Sequence, residues 1–350
     1  MTKIKKQANQ SLFEYQERME KLGKAPLDKL NDYIEWEDFR PILTELLAPK
    51  EQKAPGGASH YDYVFMFKIL IIQKYYNLSD EQTEFRINDS LSLQRFLGIT
   101  LADKVPDHNK IWDFREKLMK SGAIKGLFKA FDTVLESQGI VGKSGSIIDA
   151  SFVEVPIQRN NRDENKNIKE GKTPKEWKDN PNKLSHKDTD ARWMKKDNKT
   201  HYGYKNHVKA DILTKIVREY TVTDASVHDS MAVKELLNEK DTGKTLYADS
   251  AYIGPKVESI VSQYRIKNFI HEKGYRNKPL RKGQKKLNRL KSAIRCRVEH
   301  IFGFIENSMN GSFIRTIGKK RAETNIGLMN LVYNMARYSF IMRQKSQYFV

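Results

Sequence analysis

The sequence predicts an α+β fold: a helical N-terminal domain over residues 1–140, then a mixed α/β core over residues 141–350 interrupted by a polar insertion at about 157–200. Three observations predict it. In the N-terminal part apolar residues recur every three or four positions, the helical period. From about Gly142 they give way to β-branched and aromatic runs with period two. Between the first two such runs, Asn160 to Lys199 is rich in Lys, Asn and Asp and reads as an extended loop.

In the helical part, Leu12–Leu22, Asp28–Leu47, Tyr61–Tyr76, Asp80–Phe96 and Lys110–Glu136 each carry the helical period. Ser79 and Gln82 form a capping-box pattern, in which two side chains satisfy backbone N–H groups at a helix start. Asp107, after Pro106, is placed to cap the helix NKIWDFREKLMK. Gly122 and Gly139 supply breaks, and KAPGGASH, residues 53–60, a turn-rich connector.

In the core, SGSIIDASFVEVP, THYGYKNHVKAD and KIVREYTVTDASVHD read as an antiparallel meander, with Tyr202, Tyr204, Asn206 and Val208 on one face of the second strand. The helix MAVKELLNE, the strand TLYADSAYIG, the helix KVESIVSQYR and the strand IKNFIHEK then alternate, as in a sheet covered by helices.

Charge points to a partner. Lys plus Arg number 63 against 44 Asp plus Glu, a formal charge of +19, so a polyanion is expected, nucleic acid first among them. From Arg276 to Arg297 there are ten basic residues and no acidic one. That strip is either a solvated helix face or a phosphate-binding surface, and like charges without a counter-charge favour the second. Its candidate contacts are Lys282, Lys285, Lys286, Arg289, Arg295 and Arg297. The single cysteine, Cys296, excludes an intrachain disulfide, and no residue spacing resembles a zinc site. The start MTKIKKQANQSLFEYQ lacks the apolar stretch of a signal peptide, and the run Val64–Ile72 is too short for a bilayer and broken by Lys68. A soluble, cytoplasmic protein is expected.

Two acids stand where strands disfavour them: Asp149 late in SIIDAS and Asp249 at the end of LYADSAY. Each alone reads equally well as a turn cap. Glu299 lies at the edge of the helical stripe Ile294, Val298, Ile301, Phe302 and Ile305, where it either faces the sheet or merely pairs with Arg295 one turn earlier. His228 and His300 are weighed as proton carriers and Trp177 and Trp193 as base-stacking groups, with structural roles favoured for all four. The helix Lys110–Lys120, with Lys110, Asp113 and Arg115 on its polar side, reads equally as a groove reader or a packing helix.

Taken together, the order strand–Asp, strand–Asp, helix–Glu, the YKNH strand, DARW at Asp190 to Trp193, ADSAY and RVEHIFGFIE resemble the insertion-sequence-five family of DDE transposases. NLSDEQTEFRINDSLSLQRFLG and VPDHNKIWDFREKL resemble that family's helical N-terminal domain, and GLMNLVYNMAR its closing helix, so the resemblance spans nearly the whole chain. It implies a bacterial insertion-sequence transposase with a ribonuclease-H-like core, acting at the nucleoid. Asp149, Asp249 and Glu299 would be its catalytic and metal-binding residues, and the helical domain would bind terminal inverted repeats. The enzyme would cut double-stranded DNA at the element ends and join the 3′ hydroxyls to target DNA, as a homodimer holding paired ends. Two positions depart from the family's signature around the last acid: Ser292 stands for its Tyr and Glu306 for its Lys, and Arg297, Arg315 and Lys319 are candidates to replace that Lys.

The chemistry explains the residue types. Phosphodiester cleavage builds negative charge on an anionic phosphate, and two Mg²⁺ ions, with Mn²⁺ able to substitute, bind both attacking and leaving oxygens. Such hard ions take oxygen ligands. In this reading Asp149 serves both ions, Asp249 completes one site and Glu299 the other. Without metal, clustered acids should raise at least one pKa, with Arg295 as a partial counter-charge. Two alternatives remain open at this point: a catalytically inactive DNA-binding derivative, and a nuclease of the same fold without strand transfer.

Overall fold

The computed structural model describes residues 23–48, 60–141, 144–196 and 198–344, with Glu17, Glu20 and Lys21. The helix expected at Leu12–Leu22 and the connector at 53–60 fall almost wholly outside the described residues. The N-terminal helices are α1 (Arg40–Leu47), α2 (Tyr63–Tyr75), α3 (Asp80–Asp89), α4 (Leu91–Leu97), α5 (His108–Ser121) and α6 (Ala123–Ser137). Ser79 and Gln82 close the expected capping box on α3, and Asp107 accepts from Lys110 N–H at 2.9 Å on α5.

Three of the expected helical stretches are interrupted, the last of them at a glycine that the sequence offered as a break. Asp28–Leu47 is split into a one-turn helix, Asp28–Asn31, a 3₁₀ turn, Trp36–Phe39, and α1. The break lets Trp36 turn into the core, where its ring lies 5.6 Å from Phe96, so aromatic burial overrides the helical period. Asp80–Phe96 breaks at Ser90, whose backbone is extended, and the Gln94 amide donates to the freed carbonyls of Ile87 and Asn88. Lys110–Glu136 breaks at Gly122, where φ is +67°, a conformation costly for any residue with a Cβ.

The core strands are β1 (Gly145–Glu154), β2 (Arg192–Lys196), β3 (Lys199–Asp211), β4 (Val217–Asp224), β5 (Thr245–Tyr247) and β6 (Lys267–Asn268). β3 runs antiparallel to β1 on one side and to β2 and β4 on the other, while β1, β5 and β6 run parallel. An antiparallel meander extended by parallel strands is the ribonuclease-H-like arrangement implied by the resemblance. Tyr202, Tyr204, Val208 and Ala210 of β3 meet the larger core, which also holds the N-terminal helices. Ile148, Leu246 and the helices α10 (Val233–Leu236) and α11 (Pro255–Gln263) form a second core on the opposite face. The MAVKELLNE helix is thus reduced to one turn of α10 behind a 3₁₀ turn at Asp229–Ala232.

The long helix α14 (Lys319–Arg343) joins the two parts; α12 (Lys282–Arg295) and α13 (Glu299–Gly303) precede it. It packs on β4 and on α2, α5 and α6, so one hydrophobic core runs through both parts of the chain. Apolar contacts alone do not fix its register. The Asn330 and Asn206 amides exchange hydrogen bonds of 2.8 and 3.0 Å, and the Asn334 side chain bonds both N–H and C=O of Val217. Gly327 permits the close approach: a Cβ there would lie 2.3 Å from the Tyr220 hydroxyl.

The insertion is not an extended loop. It folds into α7 (Arg162–Lys169), α8 (Lys175–Lys178) and α9 (Pro181–Ser185), ahead of β2. Trp177 is fully buried there with Ile168, and its indole N–H donates to Glu164 at 2.7 Å. A few apolar anchors suffice to order a stretch whose mean composition is polar. No helix among the described residues is long and apolar enough to cross a membrane.

Candidate active site

The sheet itself brings the first two acids together. Ile147 pairs with Tyr247 at the last rung of the parallel pairing of β1 with β5, two residues before each acid, and Asp249 is close enough for its charge to act on the Asp149 carboxyl. Asp149 lies opposite Val208 of β3 and therefore shares its face of the sheet. Asp249 has just left β5 and caps the next 3₁₀ turn by accepting from Ala251 N–H at 2.8 Å. The turn-cap reading is thus correct for Asp249, and it coexists with a place beside Asp149.

Glu299 reaches the same region through Arg295. The Arg295 guanidinium donates to Asp149 Oδ2 at 2.8 Å and lies 3.6 Å from Glu299 Oε1. The helical segment around Glu299 is anchored by buried Val298, Ile301 and Ile305, while the Glu299 side chain remains 65% exposed. Among the described residues no three Asp, Glu, His or Cys side chains stand close enough together to hold a metal ion. Arg295 therefore occupies the space between two of the predicted ligands, a counter-charge where carboxylates would otherwise repel one another.

Electrostatics mark the spot. Burial pushes the Asp149 carboxyl up to about 6, and the Asp249 charge adds to this, while Arg295, Lys196 and the Ala150 N–H oppose it. The Tyr252 phenol of ADSAY is buried with no hydrogen-bond partner, and burial together with Asp149, Asp229 and Asp249 holds its pKa well above the usual range. Asp229, which the sequence reading had not singled out, thus acts on the same phenol as the two predicted acids. It pairs at 2.8 Å with Lys205, a lysine buried on the β3 face opposite Tyr204. Period-two alternation of Lys205, His207 and Lys209, on the face opposite Tyr204 and Val208, was the available signal. His271, following β6, also feels Asp249, and its Nε2 lies 3.3 Å from Ser292 Oγ.

The donors suit a hard divalent cation: Asp149, Asp249 and Glu299 offer only oxygen, and burial makes the charged form of Asp149 one that a nearby cation would stabilise. A separate cavity of about 700 Å³ lies over β4 between Phe128, Arg218, Tyr220 and Lys240, and none of the three acids lines it.

The basic strip divides in two. Lys282, Lys285, Lys286 and Arg289 are exposed along α12, with no partner among the described residues, and Leu287 and Leu290 are exposed beside them. Arg295 is held by Asp149, and Arg297 donates to the Ile212 carbonyl at 2.9 Å. Of the other candidates, His228 bonds Ser230 within its own turn, His300 is exposed, and Trp177 is fully buried. Trp193 is 43% exposed and packs on Tyr202 with ring centroids 4.7 Å apart. Arg115 pairs with Asp80 and is not free to read a groove.

A family model for the Transposase DDE domain matches residues 141–335, and one for a transposase domain (DUF772) matches residues 14–117. The chain is also similar to a solved piggyBac transposase synaptic complex with hairpin DNA, at 12% identity and a TM-score of 0.47, over 94% of this chain and 78% of that one.

Proposed function

Since this chain belongs to the family of transposases with a DDE domain, we propose that it cuts DNA at the ends of a mobile element and joins the freed 3′ ends to target DNA, using Asp149, Asp249 and Glu299. The observation that carries the reading is the placement of Asp149 on β1 and of Asp249 just beyond the end of the parallel neighbour β5, close enough to act on each other, with Arg295 linking Asp149 to Glu299.

In the cleavage step a water oxygen attacks the phosphorus, the bond to the 3′ oxygen breaks, and that oxygen leaves as a hydroxyl. In the joining step the same hydroxyl attacks a target phosphodiester and displaces another 3′ oxygen. Two Mg²⁺ or Mn²⁺ ions, held by the three carboxylates, would supply the charge that both oxygens need. Asp149 contributes a carboxylate that burial leaves poorly compensated, and therefore a strong site for a cation. Arg295 keeps that carboxylate paired until then. The exposed lysines and Arg289 of α12 bind the phosphate backbone without reading sequence. The N-terminal helices take the terminal inverted repeats, and two copies act on paired ends.

Incubating the full chain with a plasmid carrying the element's ends and Mg²⁺, then mapping products, tests this. Free 3′ hydroxyls and joined strands support it. Cleavage without joining identifies a nuclease, and neither product with intact DNA binding identifies an inactive derivative.

A further inference from the structure

A second cavity, about 400 Å³ in volume, lies where three parts of the chain meet: α5, the insertion, and the connector that leads into α14. Its lining includes Trp112 and Met119 of α5, His186 of the insertion, and Arg315, Thr316 and Asn325 from the connector and helix. The wall is fixed in place. Asp188 accepts from the Tyr204 hydroxyl at 2.9 Å and also from Gly318 N–H at 3.0 Å, and Asp190 accepts from Lys319 N–H at 3.0 Å.

The cavity offers three chemistries side by side. Trp112 is 45% exposed and belongs to neither hydrophobic core, so its indole is an aromatic surface with no structural use. Arg315 is exposed, and donates to the Asn77 carbonyl at 3.2 Å with no carboxylate partner among the described residues. The Thr316 hydroxyl is buried in the wall with no hydrogen-bond partner. Nearby carboxylates are already neutralised, Asp80 by Arg115 and Glu116 by Arg321. Burial, aided by Arg115 and Arg315 and opposed by Asp80, pushes the adjacent Lys74 ammonium down to about 7. A ligand that answers all of this has a flat π face, polar edge groups and one anionic group. The volume also suits one such unit, at the low end of small-ligand sites.

We propose that this cavity receives a single unpaired nucleotide of a DNA strand, its base on Trp112, its edge toward Thr316 and His186, and its phosphate on Arg315. The proposal rests on the reading of the chain as a DNA-processing enzyme. Base-on-aromatic stacking is indifferent to sequence, so the cavity would hold a frayed or extruded nucleotide whichever base it carried. Because its walls come from three parts of the chain, occupancy would tie the insertion to the N-terminal helices.

The test uses the full-length protein and a single strand of about twelve nucleotides containing 2-aminopurine, beside its duplex and free deoxyadenosine monophosphate. Trp112→Ala should weaken single-strand binding by roughly ten-fold or more and abolish quenching of the probe, with Trp112→Phe restoring most of both. Arg315→Gln should lower the single-strand salt slope by about one phosphate. Duplex affinity should stay at the parent value in each, and unchanged melting should show that the fold persists. Unchanged single-strand affinity in Trp112→Ala overturns the proposal, as does an equal loss on duplex or equally tight binding of the free nucleotide. Failure of the parent chain to bind either form of DNA would instead remove the functional reading beneath it.

Discussion

In an Asp149→Asn variant the folded chain exchanges a buried titratable group for a neutral one of the same shape, and the consequence for stability has a definite sign. The folded Asp149 carboxyl titrates near 6 because burial and Asp249 outweigh Arg295, against 3.8 when unfolded. A gap of about two units corresponds to about 3 kcal/mol. Below about pH 4 both states carry the proton, whereas between about pH 4 and 6 only the folded state keeps it, so stability falls as pH rises through that window. The side chain is 18% exposed, which calls for only a modest discount for screening. Asn lacks this slope. It also leaves Arg295 facing a neutral amide, a penalty that is constant across the window. Urea unfolding without divalent cations, repeated from about pH 4 to 7, should therefore show the variant gaining about 3 kcal/mol relative to the parent. Parallel stability curves would refute the reasoning, because they would mean that Asp149 is solvated or fully compensated by Arg295. Saturating Mg²⁺ at neutral pH should then stabilise the parent by about 3 kcal/mol at one hundred times its Kd, and the variant by far less.

Replacing Lys282, Lys285, Lys286 and Arg289 together by Gln should reduce the slope of log affinity against log salt by up to about 3.6, and equally for any duplex sequence; an unchanged slope returns the strip to ordinary solvated surface. Trp177→Ala, which empties the insertion's core and strands Glu164, should cost about 3 kcal/mol or more locally, read as fast amide exchange confined to residues 160–190. Burial holds the Lys74 ammonium near 7 against an ordinary 10.5, so the folded chain forgoes its proton first and stability climbs between those values. Lys74→Met should accordingly be more stable than the parent at about pH 6, by up to about 5 kcal/mol less the lost bond to Asn325, and the gap should close toward about pH 10; a gap independent of pH contradicts this.

Much of this architecture was legible because local signals and tertiary structure agree. The capping box at Ser79, the stop at Gly122 and the alternation of β3 are decided within a few residues, and each is found where the pattern puts it. The order of acids along the chain was also readable, since one stands in the apolar strand β1 and the other directly after its parallel neighbour β5. Long-range choices were not readable. Trp36 breaks a helix to reach Phe96, a partner outside any local window, and Trp177 gathers a polar segment around itself through a bond to Glu164 that no regular period announces. Arg295 illustrates the same limit at the site: its spacing suggested a pair with Glu299, while the shorter contact is to Asp149, 146 positions away. Asp229 escaped notice because its ion-pair partner is Lys205, a lysine buried in a central strand, where lysine is least expected.

The most direct measurement is Mg²⁺-dependent cleavage and joining of the element's own ends by Asp149→Asn, Asp249→Asn and Glu299→Gln, alongside DNA affinity and melting for each. The account predicts that every single variant stays folded and bound to DNA while both reactions fall by a factor on the order of 10³ or more, since each removes one of the charges the reacting oxygens require. Combining the three should add little, because they act as one unit. A single variant that cleaves at near the parent rate would contradict the assignment of these three carboxylates.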